Sequence, residues 1–219
     1  MESMQTEKSD AEIIYVGDPM CSWCWGFAPV LDAMVEDFAS VAGLRVVVGG
    51  LRPGPNAQQM DASSKQMIRS HWKHVEDATG QPFDYTFFDR EDFLYDTEPA
   101  ARAVVTVRAL VPSKTFAFFK ALQSAFYANN VDITEAEMYR PYLESEGIDF
   151  QSFLDAFNSE TMHEATSLDF STAQQWGIRG FPSVVLRKDE HLALLTAGYQ
   201  PYKHLKPLVT QFFNSDPTV

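Results

Sequence analysis

An apolar run, Ile13-Ile14-Tyr15-Val16, predicts a strand over Glu12–Val16, and the β-branched run Leu44–Gly50 predicts a second, ended by glycines. Between them Phe27, Val30, Leu31, Met34, Val35 and Phe38 recur at helical spacing, so Cys24 to about Phe38 reads as a helix, with Pro29 expected to kink it. Strand, helix, strand makes a βαβ unit. Arg52–Asn56 is a proline- and glycine-rich loop and a candidate boundary.

From about Gln58 to Gly177 the period is helical. Met60, Met67, Ile68, Trp72 and Val75 form one apolar face before Gly80, and 83–94 is aromatic and irregular. Helices are expected over Glu98–Leu110 and Lys114–Ala128, the latter with Phe116, Phe119, Leu122 and Phe126 on one side. Thr134-Glu135-Ala136-Glu137 has the pattern of a capping box, starting a helix toward Gly147 that Pro141 bends. Asp149 is placed to cap a short helix through Asn158, and a last insert helix runs from about Thr161 to Trp176 with Gly177 as its stop.

Strand character then returns. Ser183–Arg187 and Leu192–Thr196 flank Lys188-Asp189-Glu190 as an antiparallel hairpin, and Pro201–Phe213 is a terminal helix whose middle Pro207 puts in question. The order βαβ, helices, ββα divides the chain into 11–57 with 175–214 as one α/β unit and 58–174 as an inserted helical domain. Residues 1–10, polar and acidic with no apolar core of a signal peptide, are expected to be a disordered tail.

The candidate chemistry lies where the first strand hands over to the first helix. Cys21-Ser22-Trp23-Cys24 holds the only two cysteines of the chain, two residues apart, a redox-motif signal in that position. A helix N-terminus favours negative charge and so stabilises a thiolate there. Cys21 would sit at or beside the N-cap, and Cys24 about one turn in, on the same face and within disulfide reach. Chance spacing of two inert cysteines is the bland alternative. Half of a zinc site lacks the other ligands, and a structural disulfide would close too short a loop to stabilise the fold much.

Composition narrows the field without changing this picture. The 219 residues suffice for one domain with an insertion, and 45% apolar with 21% charged residues is ordinary for a soluble globular protein. A net charge of −13 argues against nucleic acid and anionic membranes as partners. No run is long enough to span a bilayer. Together with the polar N-terminus this gives a cytoplasmic expectation, and in a reducing compartment a lone cysteine pair is more often catalytic than structural.

A second motif, Gly177-Ile178-Arg179-Gly180-Phe181-Pro182-Ser183, immediately precedes the third strand. Alone, Pro182 reads as a loop proline at a strand start, where its missing N–H costs nothing. Beside a dithiol, a proline there would leave the backbone of Phe181 open to pair with an extended substrate chain. With Pro29 five residues after Cys24 and Val131-Asp132-Ile133-Thr134 in the insert, these motifs resemble the DsbA family of thioredoxin-fold thiol–disulfide oxidoreductases, over roughly residues 12–213. Within it the chain looks closer to the cytoplasmic FrnE-like and DsbA-like members.

The resemblance implies an α/β thioredoxin fold with a large helical insertion. It implies Cys21, Cys24 and Pro182 as catalytic residues, Cys21 as nucleophile and Cys24 as resolving cysteine, with Trp23, Phe181 and Ser22 contacting substrate. Thiol- or disulfide-containing proteins or peptides would be the substrates, with a redox recycling partner. No bound cofactor or metal is implied; glutathione is a candidate redox partner. Two departures matter. Ser22-Trp23 lacks the positive charge that the Pro-His of strongly oxidising members supplies, so an intermediate potential is expected. Phe181 stands where many members carry Val or Thr, and its ring would narrow the site or offer a stacking surface.

Other residues have ordinary explanations: Asp18 as a turn residue rather than a water-mediated proton acceptor, Arg52 and Arg179 as surface cations, His71 and His74 as solvated, and Asp89, Glu91 and Asp92 as an exposed acidic cluster; Trp25 reads equally as core or as part of an apolar client surface with Trp23. Two other functions stay open. One is a glutathione-dependent transferase or isomerase of the kappa and 2-hydroxychromene-2-carboxylate isomerase type, which generally uses serine in place of the dithiol. The other is a redox-switched binding protein.

Overall fold

The computed structural model describes residues 11–215; the tail expectation for Met1–Asp10 lies outside them. The first strand, β1 (Ala11–Gly17), has no exposed side, and that explains its unbroken apolar run. Successive strand residues face opposite ways. Ile13 and Tyr15 enter one core with Phe27, Leu31 and Met34 of α1 (Ser22–Phe38); Ile14 and Val16 enter another with Val47, Ala173, Ile178 and Val185. Next, β2 (Gly43–Val48) runs parallel to β1, pairing Val16 with Val47.

The insert opens with a feature that hydrophobic periodicity does not reveal. Two-residue strands β3 (Gln58–Gln59) and β4 (Leu94–Tyr95) pair with each other and bracket α2 (Ala62–Thr79), which Asp61 caps by accepting the Ser64 N–H. On α2, Ile68, Trp72 and Val75 are buried as expected, but Met67 is exposed. The irregular 83–94 stretch supplies Phe87, Phe88 and Phe93, which gather with Phe126 and Tyr127 around Trp72. Two long helices follow, α3 (Glu98–Leu110) and α4 (Thr115–Asn129).

The expected capping box does not form. The Asp132 carboxylate accepts both the N–H and the hydroxyl of Thr134, so the threonine is spent inside a turn. A single 3-10 turn over Ala136–Tyr139 then leads into the short α5 (Arg140–Ser145), with Pro141 in its first turn where a missing N–H is harmless. Asp149 does cap α6 (Phe150–Phe157), accepting the Ser152 N–H at 2.8 Å, and Ser159 caps α7 (Glu160–Gln175).

After α7 the chain returns to the sheet as β5 (Ser183–Lys188) and β6 (His191–Ala197), antiparallel to each other. β5 runs antiparallel along the free side of β1, giving the order β2-β1-β5-β6 of a thioredoxin fold. The last helix, α8 (Tyr202–Asn214), passes through Pro207 unbroken and buries Leu205, Val209 and Phe213. The fold is the DsbA-like α/β arrangement, with the helices between β2 and β5 as the insertion.

Strand β2 is an edge strand, and side chains from the insert close its edge. Arg108 of α3 donates to the Val46 carbonyl at 2.7 Å, while Asp169 of α7 accepts the Val48 N–H at 2.9 Å. The two side chains also pair with each other through two hydrogen bonds, at 2.7 and 2.8 Å. Together they satisfy alternate backbone groups as a neighbouring strand would. Removing Asp169 would leave the Val48 N–H without its acceptor and the half-buried Arg108 guanidinium without its counter-charge. Asp169→Ala is therefore expected to destabilise the protein by on the order of 2 kcal/mol, read from urea unfolding midpoints at constant m-value.

Candidate active site

The ladder register brings three chain segments to one end of the sheet. Gly17 ends β1, the Gly49 N–H donates to the Gly17 carbonyl at 2.8 Å, and Ser183 pairs with Val16. Cys21 is the N-cap of α1, extended at φ −97° and ψ 116°, and its N–H donates to the Asp18 carbonyl at 3.1 Å. Its sulfur lies 3.8 Å from the carbonyl oxygen of Phe181, within reach of an S–H hydrogen bond. The Phe181–Pro182 peptide bond is cis. The structure thus brings Cys21, Cys24, Phe181 and Pro182 to one place.

The two thiols differ in their surroundings. Cys21 keeps 6% exposure at the helix end, whereas Cys24, in the first turn, has none. Burial first, and then its hydrogen bond to Cys21, push the Cys24 thiol well above the ordinary thiol range; the Tyr15 hydroxyl and the Asp18 N–H pull less strongly the other way. Cys24 therefore holds its proton and shares it with Cys21. The Tyr15 phenol is likewise raised well above its usual value, chiefly by burial and then by Cys24, so it can donate a hydrogen bond to sulfur without ionising.

Asp18 is the turn residue the sequence favoured, and more. Its two carboxylate oxygens accept the Met20 and Leu51 N–H groups, each at 2.8 Å, tying the β1–α1 turn to the segment after β2. The same segment is held from the other side, where Arg52 N–H donates to the Thr97 hydroxyl and Thr97 N–H to the Arg52 carbonyl. Arg52 is half-buried, 5.0 Å from the centre of the Tyr95 ring, and its charge favours the Asp18 carboxylate, so it is not a plain surface cation. Arg179 is exposed.

Of the residues expected to contact substrate, Trp23 and Ser22 are half-buried on the outer face of α1's first turn. Trp23 leans on Tyr199 at 5.6 Å, and Leu51, on the segment that Asp18 holds, is an exposed apolar side chain. Phe181 turns its carbonyl to Cys21 while its half-buried ring lies on Gly49. Trp25 is core: its indole N–H donates to the Pro82 carbonyl and its ring stacks with Tyr127. His71 and His74 are exposed, and among the described residues no group of three or more His, Cys, Asp or Glu side chains could hold a metal ion.

Sequence reasoning passed over Tyr15, Leu51 and Tyr199. Tyr15 alone carried a signal: two residues from Ile13, it had to face the α1 side of the sheet, where Cys24 lies.

Asp18 gives the site a pH signature. Burial raises its pKa from 3.8 to about 6, against the opposing effect of its two backbone hydrogen bonds. A raised acid pKa means the folded state binds the proton more tightly than the unfolded chain. The corresponding stability is complete below pH 4 and is lost as pH rises through 6, on the order of 3 kcal/mol in all. Urea unfolding at intervals from pH 4 to 7.5 should show this decline in the wild-type protein and a flattened one in Asp18→Asn.

A family model described as thioredoxin matches residues 14–207. Among solved structures, the chain is similar to a Nitrosomonas europaea protein provisionally titled a protein disulfide isomerase. The two are 34% identical with a TM-score of 0.85, over 93% of this chain and 97% of the other. It also resembles the cytosolic disulfide reductase DsbM of Pseudomonas aeruginosa, at 24% identity and a TM-score of 0.75 over 93% and 100%. The structure of DsbM with GSH gives 26% and 0.73, over 92% and 98%. A curated relative is the ClpXP adapter protein SpxH of Halalkalibacterium halodurans, 20% identical over 206 residues, which are 92% of this chain and 67% of that one.

Proposed function

The chain belongs to the thioredoxin family, and we propose that it exchanges disulfides with peptide or small-thiol substrates through Cys21 and Cys24, in the cytoplasm. The observation that carries this reading is the alignment of the Phe181 carbonyl, the Cys21 sulfur and the buried Cys24 thiol at the N-terminus of α1. Its support in the comparisons is the family match and the likeness to disulfide reductases and isomerases.

In the reducing direction, the Cys21 thiolate attacks one sulfur of a client disulfide. The Cys21–client bond forms, the client S–S bond breaks, and the leaving client thiolate takes a proton from solvent. Cys24 then gives up its proton and attacks Cys21, closing the Cys21–Cys24 disulfide and releasing the second client thiolate. Two equivalents of a small thiol return the pair to the dithiol and leave as a disulfide. Glutathione suits that role, in line with the GSH-bound relative. The oxidising direction runs the same steps backwards. With Ser22 and Trp23 between the cysteines, the helix terminus alone stabilises the thiolate, so the couple should sit between the reducing and strongly oxidising extremes, at about −200 mV.

A second reading, a redox-responsive adapter, draws on the likeness to SpxH and on the half-buried Trp23–Tyr199 ring pair beside Cys21 and Cys24. Client binding that follows the redox state without turnover would favour it.

Cys21→Ala should reduce insulin disulfides no faster than the small thiol alone. Cys24→Ala should instead accumulate a client joined to Cys21, visible as a thiol-sensitive band on a non-reducing gel. Turnover by both variants at the wild-type rate would rule out the dithiol mechanism.

A further inference from the structure

Phe181 presents a carbonyl and a ring, and they go to different places. The carbonyl faces the Cys21 sulfur at 3.8 Å. The ring lies on the bare backbone of Gly49, so closely that a Cβ there would fall 2.0 Å from Cε1 and 2.1 Å from Cζ. Carbon atoms in contact sit at roughly 3.5–4.0 Å. The following residue repeats the arrangement: Gly50, at φ +71°, carries the Phe170 ring of α7, with Cδ1 2.8 Å from a would-be Cβ.

The backbone under the Phe181 ring is held in place. Gly49 N–H is bound to Gly17, the preceding Val48 N–H to Asp169, and Leu51 N–H to Asp18. A methyl group at Gly49 would therefore displace the ring rather than the strand. The ring hangs by one carbon, Cβ, from the Cα that carries the carbonyl meeting Cys21.

We propose that Phe181 is a positioning residue for thiol exchange and that Gly49 is its seat: the ring, locked on the glycine backbone, aims the Phe181 carbonyl at Cys21. This rests on the dithiol reading above. While Cys21 is a thiol, the carbonyl accepts its S–H. Once Cys21 is joined to a client, that hydrogen is gone and the same oxygen is free for a client backbone N–H. The ring stays half-buried on its seat, as Trp23 and Tyr199 are half-buried.

The test uses the full chain as wild type, Gly49→Ala, Phe181→Val and the double variant. Insulin reduction, the rate of Cys21 alkylation by iodoacetamide and thermal melting are measured for each. Gly49→Ala is expected to lower kcat/KM about tenfold or more and to change the alkylation rate. Phe181→Val alone, which removes the ring that aims the carbonyl, is expected to lower kcat/KM and change the alkylation rate as well, and the double variant should match Phe181→Val instead of adding the two losses, because valine leaves room for the methyl group. Wild-type kcat/KM and alkylation in Gly49→Ala or in Phe181→Val, whatever the melting temperature, overturn the proposal, and so does a double variant well below both single variants. Should Gly49→Ala fail to fold, a double variant that matches Phe181→Val supports the seat, and one about tenfold below it overturns it. A wild-type protein without Cys21-dependent turnover would sink the dithiol reading alone, and the alkylation rates would still decide the seat.

Discussion

The register of β1 between its two neighbours governs everything at the candidate site. Val16 is paired with Val47 on one side and with Ser183 on the other, so the segments that follow or precede those residues must meet. One carries Cys21, one Gly49 and one Phe181 with Pro182. A slip of one residue in either ladder would turn the strand's other face to each core and carry Phe181 away from Cys21. Burial of both faces of β1 prevents that slip, because Ile13 and Tyr15 serve one core and Ile14 and Val16 the other.

The same burial divides the work between the two sulfurs. Cys21 keeps contact with solvent and lies in the field of a helix terminus, where negative charge is stabilised. Cys24 is one turn further in, where a charge has no water to solvate it. What partly compensates is polar atoms supplied by the fold: the Tyr15 hydroxyl and the Asp18 N–H both favour a thiolate at Cys24. A charge at Cys24 is thus tolerable for the moment of attack in the proposed mechanism, and the resting proton stays put. In that mechanism, order in the chemistry follows from order in depth.

Much of this was legible in the sequence, for identifiable reasons. β1, β2 and α3 declare themselves through unbroken or periodic apolar runs, and the only two cysteines could be placed at a strand-to-helix junction from spacing alone. Features that depend on distant partners could not be read. Gln58–Gln59 and Leu94–Tyr95 are too short to look like strands, and the first is polar throughout. Thr134 looks like a cap until Asp132 takes its hydroxyl. Phe181 could be seen to lie near the dithiol, but the direction of its ring depends on Gly49, which sequence shows only as the end of a strand. Asp18 was a turn residue from its neighbours in the chain, while its hold on Leu51 needed the fold.

The Arg108–Asp169 clasp has a consequence for how this architecture can be taken apart. The insert reads as a domain spliced into a smaller fold, which suggests that the smaller fold is self-sufficient. It is not. The clasp shields the open hydrogen-bonding side of β2, and Ala173 on the same helix as Asp169 covers the second face of the sheet. Excising residues 58–174 would leave a minimal unit with an unguarded strand and bare apolar side chains, open to self-association. The inserted helices are therefore a wall of the smaller fold as well as an addition to it.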